Sequence, residues 1–210
     1  MPEVQKHGFA FQEWIKTEFF ENFQSNYSDK WDIPKEYNHN HKIPQEYWRL
    51  PVSIKTAKNK SPIGFGDAIR QYDIDSDFIL IVGFWKQIGG DKYFVSVEAK
   101  KIKASFWKSL WVPLKRDELL YLDTTIKDTS KHYFDVRKEA QEIKRSFPPT
   151  KITLNPKIDS KKQRRLQCSL PFNIFWEDII QKNAYENLDT SFWGMKVPNP
   201  FKSPPRTFND

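Results

Sequence analysis

The stretch DFILIVGFWKQIGGDKYFVSVEAKKI, residues 77–102, decides the fold. Its first nine residues form the most hydrophobic run of the chain, which predicts a strand buried at the centre of a sheet. Gly89, Gly90 and Asp91 tolerate positive φ angles, so we expect the chain to turn there and return as an antiparallel strand. The stretch therefore predicts a β-hairpin with a buried first strand.

Helical and strand patterns lie on both sides of this hairpin. Large apolar residues recur every fourth position from Phe11 to Phe23, which predicts an amphipathic helix over residues 8–24. Strands are expected at 48–58 and 151–156, and helices around Asp67 and at 116–128, 132–147 and 172–188. This order predicts the α/β class, with a mixed central sheet flanked by helices. Residues 1–115 are expected to form the core of one compact domain, and residues 116–210 a helical and basic part with a dimer face.

Composition indicates a folded protein with a polyanionic partner. The net charge is +7, and Phe, Tyr and Trp make up 16% of the 210 residues, well above the share in disordered chains. Such a basic balance favours nucleic acid. A single cysteine, Cys168, excludes an intrachain disulfide and favours a reducing compartment. No signal peptide and no long apolar run is visible, so we expect a soluble, cytoplasmic protein without a membrane partner.

One ordered set of residues has the chemistry of phosphodiester cleavage. Metal-dependent hydrolysis needs carboxylates for a divalent cation and a positive group beside the attacking water. Asp32 lies in KWDIP, where a short strand is expected, and Lys55 ends the strand VSIKT. Asp67 follows in GFGDAI, at the start of a helix. Two acids suffice for Mg²⁺, which keeps several waters, and the lysine can orient or deprotonate the nucleophile.

This set resembles the PD-(D/E)XK nuclease superfamily, and in particular type II restriction endonucleases. That core runs from a helix to a strand carrying Asp, then to a strand ending in Glu-x-Lys, then to a helix and further strands. Here Ser53 stands at the Glu position and Trp31 replaces the Pro. In one branch of these enzymes the motif reads Ser-x-Lys and the following helix supplies the missing acid, a position that Asp67 matches. The resemblance covers residues 8 to about 102.

The resemblance implies a restriction-endonuclease-like core that cuts both strands of double-stranded DNA at a specific sequence with Mg²⁺. Asp32 and Asp67 would then bind the metal, with Glu13 on the first helix as a further acid. Lys55 would position the water, and Ser53 would assist through a hydrogen bond. A homodimer and a companion DNA methyltransferase are also implied.

A second set of residues competes with the first. Asp77 precedes the first hairpin strand, and an intact Glu-x-Lys motif, Glu98-Ala99-Lys100, ends the second. A hairpin closed near residues 88 and 89 would bring Asp77 roughly opposite Lys100. The excursion of 18 residues between the strand at 48–58 and Asp77 fits this alternative less well than the first set.

A basic segment is expected to contact DNA. Residues 151–165 carry six basic side chains against one acid, which is typical of a solvated face or of a surface that binds phosphates. Arg164 and Arg165 have the donors for guanine, and Gln163 and Gln167 can pair with adenine. The predicted DNA-contacting residues are Lys58, Lys60, Lys157, Lys161, Lys162, Gln163, Arg164 and Arg165.

Other interpretations use the same residues. A structure-specific or repair nuclease of the same fold is one alternative, and a non-catalytic DNA-binding protein is another. Asp67 can serve only as a helix-start acid, and a lysine at a strand end is usually solvated. His39 and His41 alternate in an Asn-rich loop without a nearby cysteine, which is poor geometry for zinc.

Overall fold

A computed structural model describes residues 3–21, 23, 30–159 and 163–201, with side chains from residue 10 onward. Its principal elements in chain order are α1 (Glu3–Phe19), β1 (Val52–Lys58), β2 (Ile63–Asp67), α2 (Ala68–Tyr72), β3 (Phe78–Ile88), β4 (Asp91–Ile102), α3 (Ala104–Ser109), α4 (Arg116–Lys127), α5 (Tyr133–Ser146), β5 (Thr153–Ile158), β6 (Arg164–Leu170), α6 (Phe172–Ile174), β7 (Ser191–Phe192) and β8 (Met195–Lys196).

Two compact units alternate along the sequence. The described residues of Met1–Ser61, Asp77–Ile102 and Trp176–Asp210 form the first unit, and Pro62–Ser76 and Lys103–Phe175 form the second. The expectation that residues 1–115 form the core and residues 116–210 a helical and basic part with a dimer face stays a prediction. None of the described helices has both the length and the apolar character needed to cross a bilayer.

The first unit is built on a mixed three-stranded sheet with β3 at its centre. β1 pairs with β3 in parallel, and β3 pairs with β4 in an antiparallel hairpin. Residues 78–84 of β3 are buried, because this central strand has a covered face on each side. Phe11, Ile15 and Phe19 of α1 lie in one apolar cluster with Ile54 and Ile81. The expected α/β class with a mixed sheet flanked by helices is confirmed.

The hairpin differs from its predicted register. Ile88 pairs with Asp91 across a two-residue turn, and a β-bulge leaves Val95 of β4 unpaired. Each feature moves β4 relative to β3, so Lys100 pairs with Leu80, and Phe78 pairs with Ile102. The expectation that Asp77 lies roughly opposite Lys100 is therefore wrong.

Gly83, in the middle of β3, is expected to be intolerant of any side chain. A Cβ there would lie 2.8 Å from Cζ of Phe11 and 2.9 Å from Cε1 of Phe94, and both rings are fully buried. Gly83→Ala should therefore lower the free energy of unfolding by about 1–3 kcal/mol, as overpacked cores do. Denaturant unfolding measures this. Gly90→Ala in the same hairpin meets no atom within 4 Å and should change stability far less; equal losses would contradict the packing account.

The second unit contains an antiparallel sheet of order β2-β6-β5. The predicted helices at 116–128 and 132–147 are confirmed as α4 and α5, which pack on β6 and β5. Their buried side chains are Leu119, Leu122, Asp123, Ile126, Val136 and Ala140. Within the basic segment at 151–165, β5 lies where a strand was expected at 151–156, and Arg164 and Arg165 begin β6.

The C-terminal elements are shorter than predicted. The helix expected at 172–188 is α6 followed by one stretch of π-helix at Phe175–Ile180. It ends there because Gln181 adopts a left-handed φ of 59° and donates its backbone N–H to the carbonyl of Trp176. Beyond it, residues 191–196 form the small β7–β8 hairpin, and Phe201 forms a bridge to Lys92.

Candidate active site

Asp32 is fixed beside the outer edge of β1. The expected strand at residues 31–33 is only an antiparallel bridge between Ile33 and Val52. The N–H of Asp32 donates to the Val52 carbonyl at 3.0 Å, and the N–H of Val52 donates to the Ile33 carbonyl at 2.9 Å. β3 pairs with the other edge of β1. The bridge therefore attaches the Asp32 segment to the outer edge of the sheet through a single residue pair.

The carboxylate of Asp32 continues this edge where the backbone pairing stops. Its Oδ2 accepts the backbone N–H of Ile54 at 2.6 Å and the amine of Lys55 at 3.2 Å. Its Oδ1 accepts Nε2 of Gln12 at 3.0 Å. Alternate amides of a strand point to the same edge, so the N–H groups of Val52 and Ile54 both need partners here. The side chain of Asp32 is therefore held in a single orientation from three sides.

The amine of Lys55 is held beside this carboxylate. Nζ lies 3.2 Å from Oδ2 of Asp32 and 3.0 Å from the carbonyl oxygen of Ile54. The two side chains are 21% and 22% exposed, so both are partly desolvated and both still reach the surface. The opposite charges make this contact stronger than a neutral hydrogen bond of the same length. The first unit thus brings together two members of the predicted set, Asp32 and Lys55.

Ser53 lies on the same face of the sheet as Lys55. Successive strand residues alternate between faces, and Ile54 belongs to the face covered by α1. Ser53 and Lys55 therefore both lie on the opposite face, and Ser53 is buried at 8% exposure. This arrangement is what the Ser-x-Lys motif predicts for a strand.

On α1 the residue that contacts Asp32 is Gln12, and sequence reasoning selected its neighbour Glu13. Glu13 is 47% exposed and pairs with Lys16 at 3.5 Å. The spacing of the apolar residues of α1 could have identified Gln12. At about 100° per residue, Gln12 lies at the flank of the stripe formed by Phe11 and Ile15, whereas Glu13 lies on the far side.

Asp67 belongs to the second unit. It ends β2, is exposed, and its Oδ1 accepts the backbone N–H of Arg70 at 2.8 Å. This is the N-cap contact expected of a carboxylate at a helix start. Its additional role as a metal ligand stays a prediction from the sequence.

The second set of residues is split between the two faces of the sheet. Asp77 pairs with Lys101 at 3.9 Å. Lys101 pairs with Ile79 in the ladder, on the face covered by α1, whereas Glu98 and Lys100 lie on the opposite face. Glu98 interacts there with Tyr185; burial, together with this hydrogen bond, raises the pKa of the Tyr185 phenol. Asp77 is therefore not brought together with Glu98 and Lys100.

The predicted DNA-contacting residues have different surroundings. Lys58 and Lys60 of the first unit are exposed, as are Lys157 and Gln163 of the second. Lys161 and Lys162 lie outside the described residues. Arg164 donates from Nη1 to the Asp128 carbonyl and from Nη2 to the Lys131 carbonyl, the latter at 2.9 Å. Arg164 thus anchors the connection between α4 and α5, a role that its sequence position did not reveal.

The described residues contain no cluster of three or more His, Cys, Asp or Glu side chains suited to a metal ion. A site formed wholly by protein ligands, such as the zinc alternative at His39 and His41, has no support in this part of the chain. One or two carboxylates, completed by waters and substrate phosphate, are nevertheless the usual ligands of Mg²⁺ at phosphoryl-transfer sites. The donor type of Asp32 fits that ion.

No protein-family model, curated protein or solved structure matches this chain. The function is therefore inferred from the geometry at Asp32 and Lys55.

Proposed function

We propose that this protein is a type II restriction endonuclease, which hydrolyses both strands of duplex DNA at a specific sequence with Mg²⁺. The observation that carries the proposal is the contact between Asp32 and Lys55, 3.2 Å apart at one strand edge. A carboxylate and an amine paired at a partly exposed strand edge supply a ligand for the metal and a positive charge for the phosphate, the two kinds of group that metal-assisted phosphodiester hydrolysis uses.

The order of the elements supports the same proposal. The chain runs from α1 to the Asp32 segment, which is antiparallel to β1, the strand that carries Ser53 and Lys55. It then passes through α2 to β3, which is parallel to β1. This is the succession of helix, acid-bearing segment, lysine-bearing strand, helix and further strand on which the resemblance to PD-(D/E)XK nucleases was drawn.

The residues of this chain would act in distinct ways. Lys55 would hold the attacking water and offset the negative charge that grows on the phosphate. Asp32, oriented by Gln12 and by the Ile54 amide, would hold Mg²⁺ together with substrate phosphate and water. When bound, Mg²⁺ would lower the pKa of the water and neutralise phosphate charge. Asp67 is the second acid that the sequence offers, and its contribution is tested by Asp67→Asn.

The test is incubation of the protein with unmethylated plasmid and phage DNA in Mg²⁺, with EDTA as the control. Discrete bands, lost in EDTA, are expected, and sequencing of the ends would give the site. A smear, or cutting only at branches or lesions, would favour a repair nuclease. DNA binding without any cutting would replace the proposal with a non-catalytic DNA-binding protein.

The proposal implies two partners, a second copy of the chain and a DNA methyltransferase. A two-fold symmetric DNA site is most simply cut by a two-fold symmetric protein, so we propose a homodimer. Its host would need a companion DNA methyltransferase to protect the same sequence, as the resemblance implies.

Gln12→Ala should lower cleavage by roughly 10- to 100-fold, the usual cost of removing a group that orients a metal ligand. Gln12 makes one of the three hydrogen bonds to Asp32, so its loss leaves the carboxylate less well oriented. The rate is measured as a function of Mg²⁺ concentration, and half-saturation should shift upward. Glu13→Gln, on the same helix turn, is the matched control and should leave both quantities unchanged. The reverse pattern would restore Glu13 as the functional residue of α1.

A further inference from the structure

The sheet of the second unit has one face that is polar along both β5 and β6. Apolar residues of these strands alternate toward one side, where Leu154, Leu166 and Cys168 are buried and α4 and α5 pack. The side chains between them belong to the other face. They are Thr153, Asn155, Lys157, Arg165, Gln167 and Ser169.

Cross-strand pairing arranges these polar side chains in rows. Asn155 pairs with Gln167, and Lys157 pairs with Arg165 in the next row of the same face. β2 pairs only with residues 167–170 of β6, so β5 and β6 continue as a two-stranded ribbon around Lys157 and Arg165. A two-stranded ribbon is one of the elements that fits into the major groove of B-DNA. Consecutive rows lie about 7 Å apart, roughly two base-pair steps.

The guanidinium groups of Arg164 and Arg165 differ in the hydrogen bonds that they already make within the protein. Both Nη atoms of Arg164 donate to backbone carbonyls, so this side chain is committed to the fold. Arg165 donates from Nη2 to the side-chain oxygen of Gln163 at 3.3 Å, and its Nε is buried without an acceptor among the described residues. The terminal nitrogens of Arg165 are therefore less engaged by the fold than those of Arg164, since one of them bonds an exposed side chain and not the backbone.

The chemistry of the rows matches base edges in duplex DNA. A guanidinium pairs with O6 and N7 of guanine, and the amides of Asn and Gln pair with N6 and N7 of adenine. The positive charges of Lys157 and Arg165 favour approach to the phosphate-lined groove. We propose that this face, defined by Asn155, Lys157, Arg165 and Gln167, reads the recognition sequence in the major groove. Arg165 would contact guanine and Gln167 would contact adenine, whereas the amide of Asn155 already donates to the Thr153 carbonyl and the Ser169 hydroxyl and would shape the face. The inference rests on the proposed function, because it takes duplex DNA as the substrate.

The test is selection of bound duplexes from a randomised library in EDTA, where the protein binds without cutting, followed by sequencing. The full-length protein is expected to enrich one motif. Arg165→Ala should lose about 5- to 150-fold of discrimination at a G·C position, and Gln167→Ala the same at an A·T position. Arg165→Lys should not restore the discrimination, since an ammonium lacks the bidentate geometry. Lys138→Ala, an exposed lysine on α5, should keep the full motif. Thermal melts establish that each variant is folded.

One combined result would overturn this inference and spare the nuclease proposal: the full-length protein cuts plasmid into discrete bands, but the selected motif is unchanged in both the Arg165 and the Gln167 variants. If Mg²⁺-dependent cutting is absent while the motif is still lost in Arg165→Ala, the nuclease proposal fails and the reading face stands.

Discussion

Lys55→Ala is expected to lower the rate of DNA cleavage by roughly 10²–10⁴-fold, the range for removing a group that positions or activates a nucleophile. The amine lies between Oδ2 of Asp32 and the Ile54 carbonyl, so its place does not depend on a flexible side chain finding the substrate. Because the pair is partly exposed, the fold should tolerate its loss. Single-turnover cleavage of plasmid in saturating Mg²⁺ measures the effect, and binding in EDTA should be retained.

Lys100→Ala provides the matched control for Lys55→Ala. Lys100 lies on the same face of the same sheet, two strands away, and belongs to the alternative set of residues. It should cut DNA at nearly the full rate. Loss of cleavage in Lys100→Ala with full activity in Lys55→Ala would move the active site to Glu98 and Lys100. Loss in neither would show that neither of the two candidate lysines is catalytic.

Asp32→Asn is expected to reduce cleavage at least as much, by 10²-fold or more, because it removes the negative charge that would hold Mg²⁺. The amide keeps the shape of the side chain and one acceptor oxygen. The change should therefore alter metal dependence more than folding. A Mg²⁺ titration separates it from Lys55→Ala: half-saturation should rise sharply in Asp32→Asn and stay near its original value in Lys55→Ala.

Two measurements serve as controls for Asp32→Asn. Its thermal unfolding should stay close to that of the unaltered protein, so a large drop would show that the carboxylate is chiefly structural. Asp67→Asn tests the second acid in the same titration. If Asp32→Asn cuts DNA at the full rate and with the original Mg²⁺ requirement, Asp32 does not bind the catalytic metal.

Sequence patterns predicted the β3–β4 hairpin and α1 because the signals for these elements are local. The hydrophobic run at 78–84, the paired glycines and the four-residue spacing on α1 each determine one element. The strand β6 also had a local signal, since Leu166, Cys168 and Leu170 alternate with polar residues, but the surrounding basic residues obscured it. The bulge at Val95 has no such signal, because a single unpaired residue leaves composition and hydropathy nearly unchanged.

The candidate site was predictable in part for a related reason. The order of Asp32, Ser53 and Lys55 along the chain was enough to predict a carboxylate beside the amine, but Lys55 lies in the middle of β1, which continues to Lys58, and not at the expected strand end. Gln12 was not identified, because its role depends on the rotation of α1 over the sheet. The bonds of Arg164 to the carbonyls of Asp128 and Lys131 join positions more than 30 residues apart, which spacing rules do not reach.

The carboxylate of Asp32 also terminates the sheet. An open strand edge with unpaired amides is a template for adding a strand from another chain, and charged groups at such edges discourage aggregation. By accepting the Ile54 amide, Asp32 blocks that position on β1 with a charge. Replacement by alanine would remove the blocking group together with the proposed chemistry, so insolubility of such a variant could be mistaken for loss of catalysis. Asparagine still offers an oxygen to the Ile54 amide. Asp32→Asn therefore tests the proposed chemistry without exposing the edge of β1.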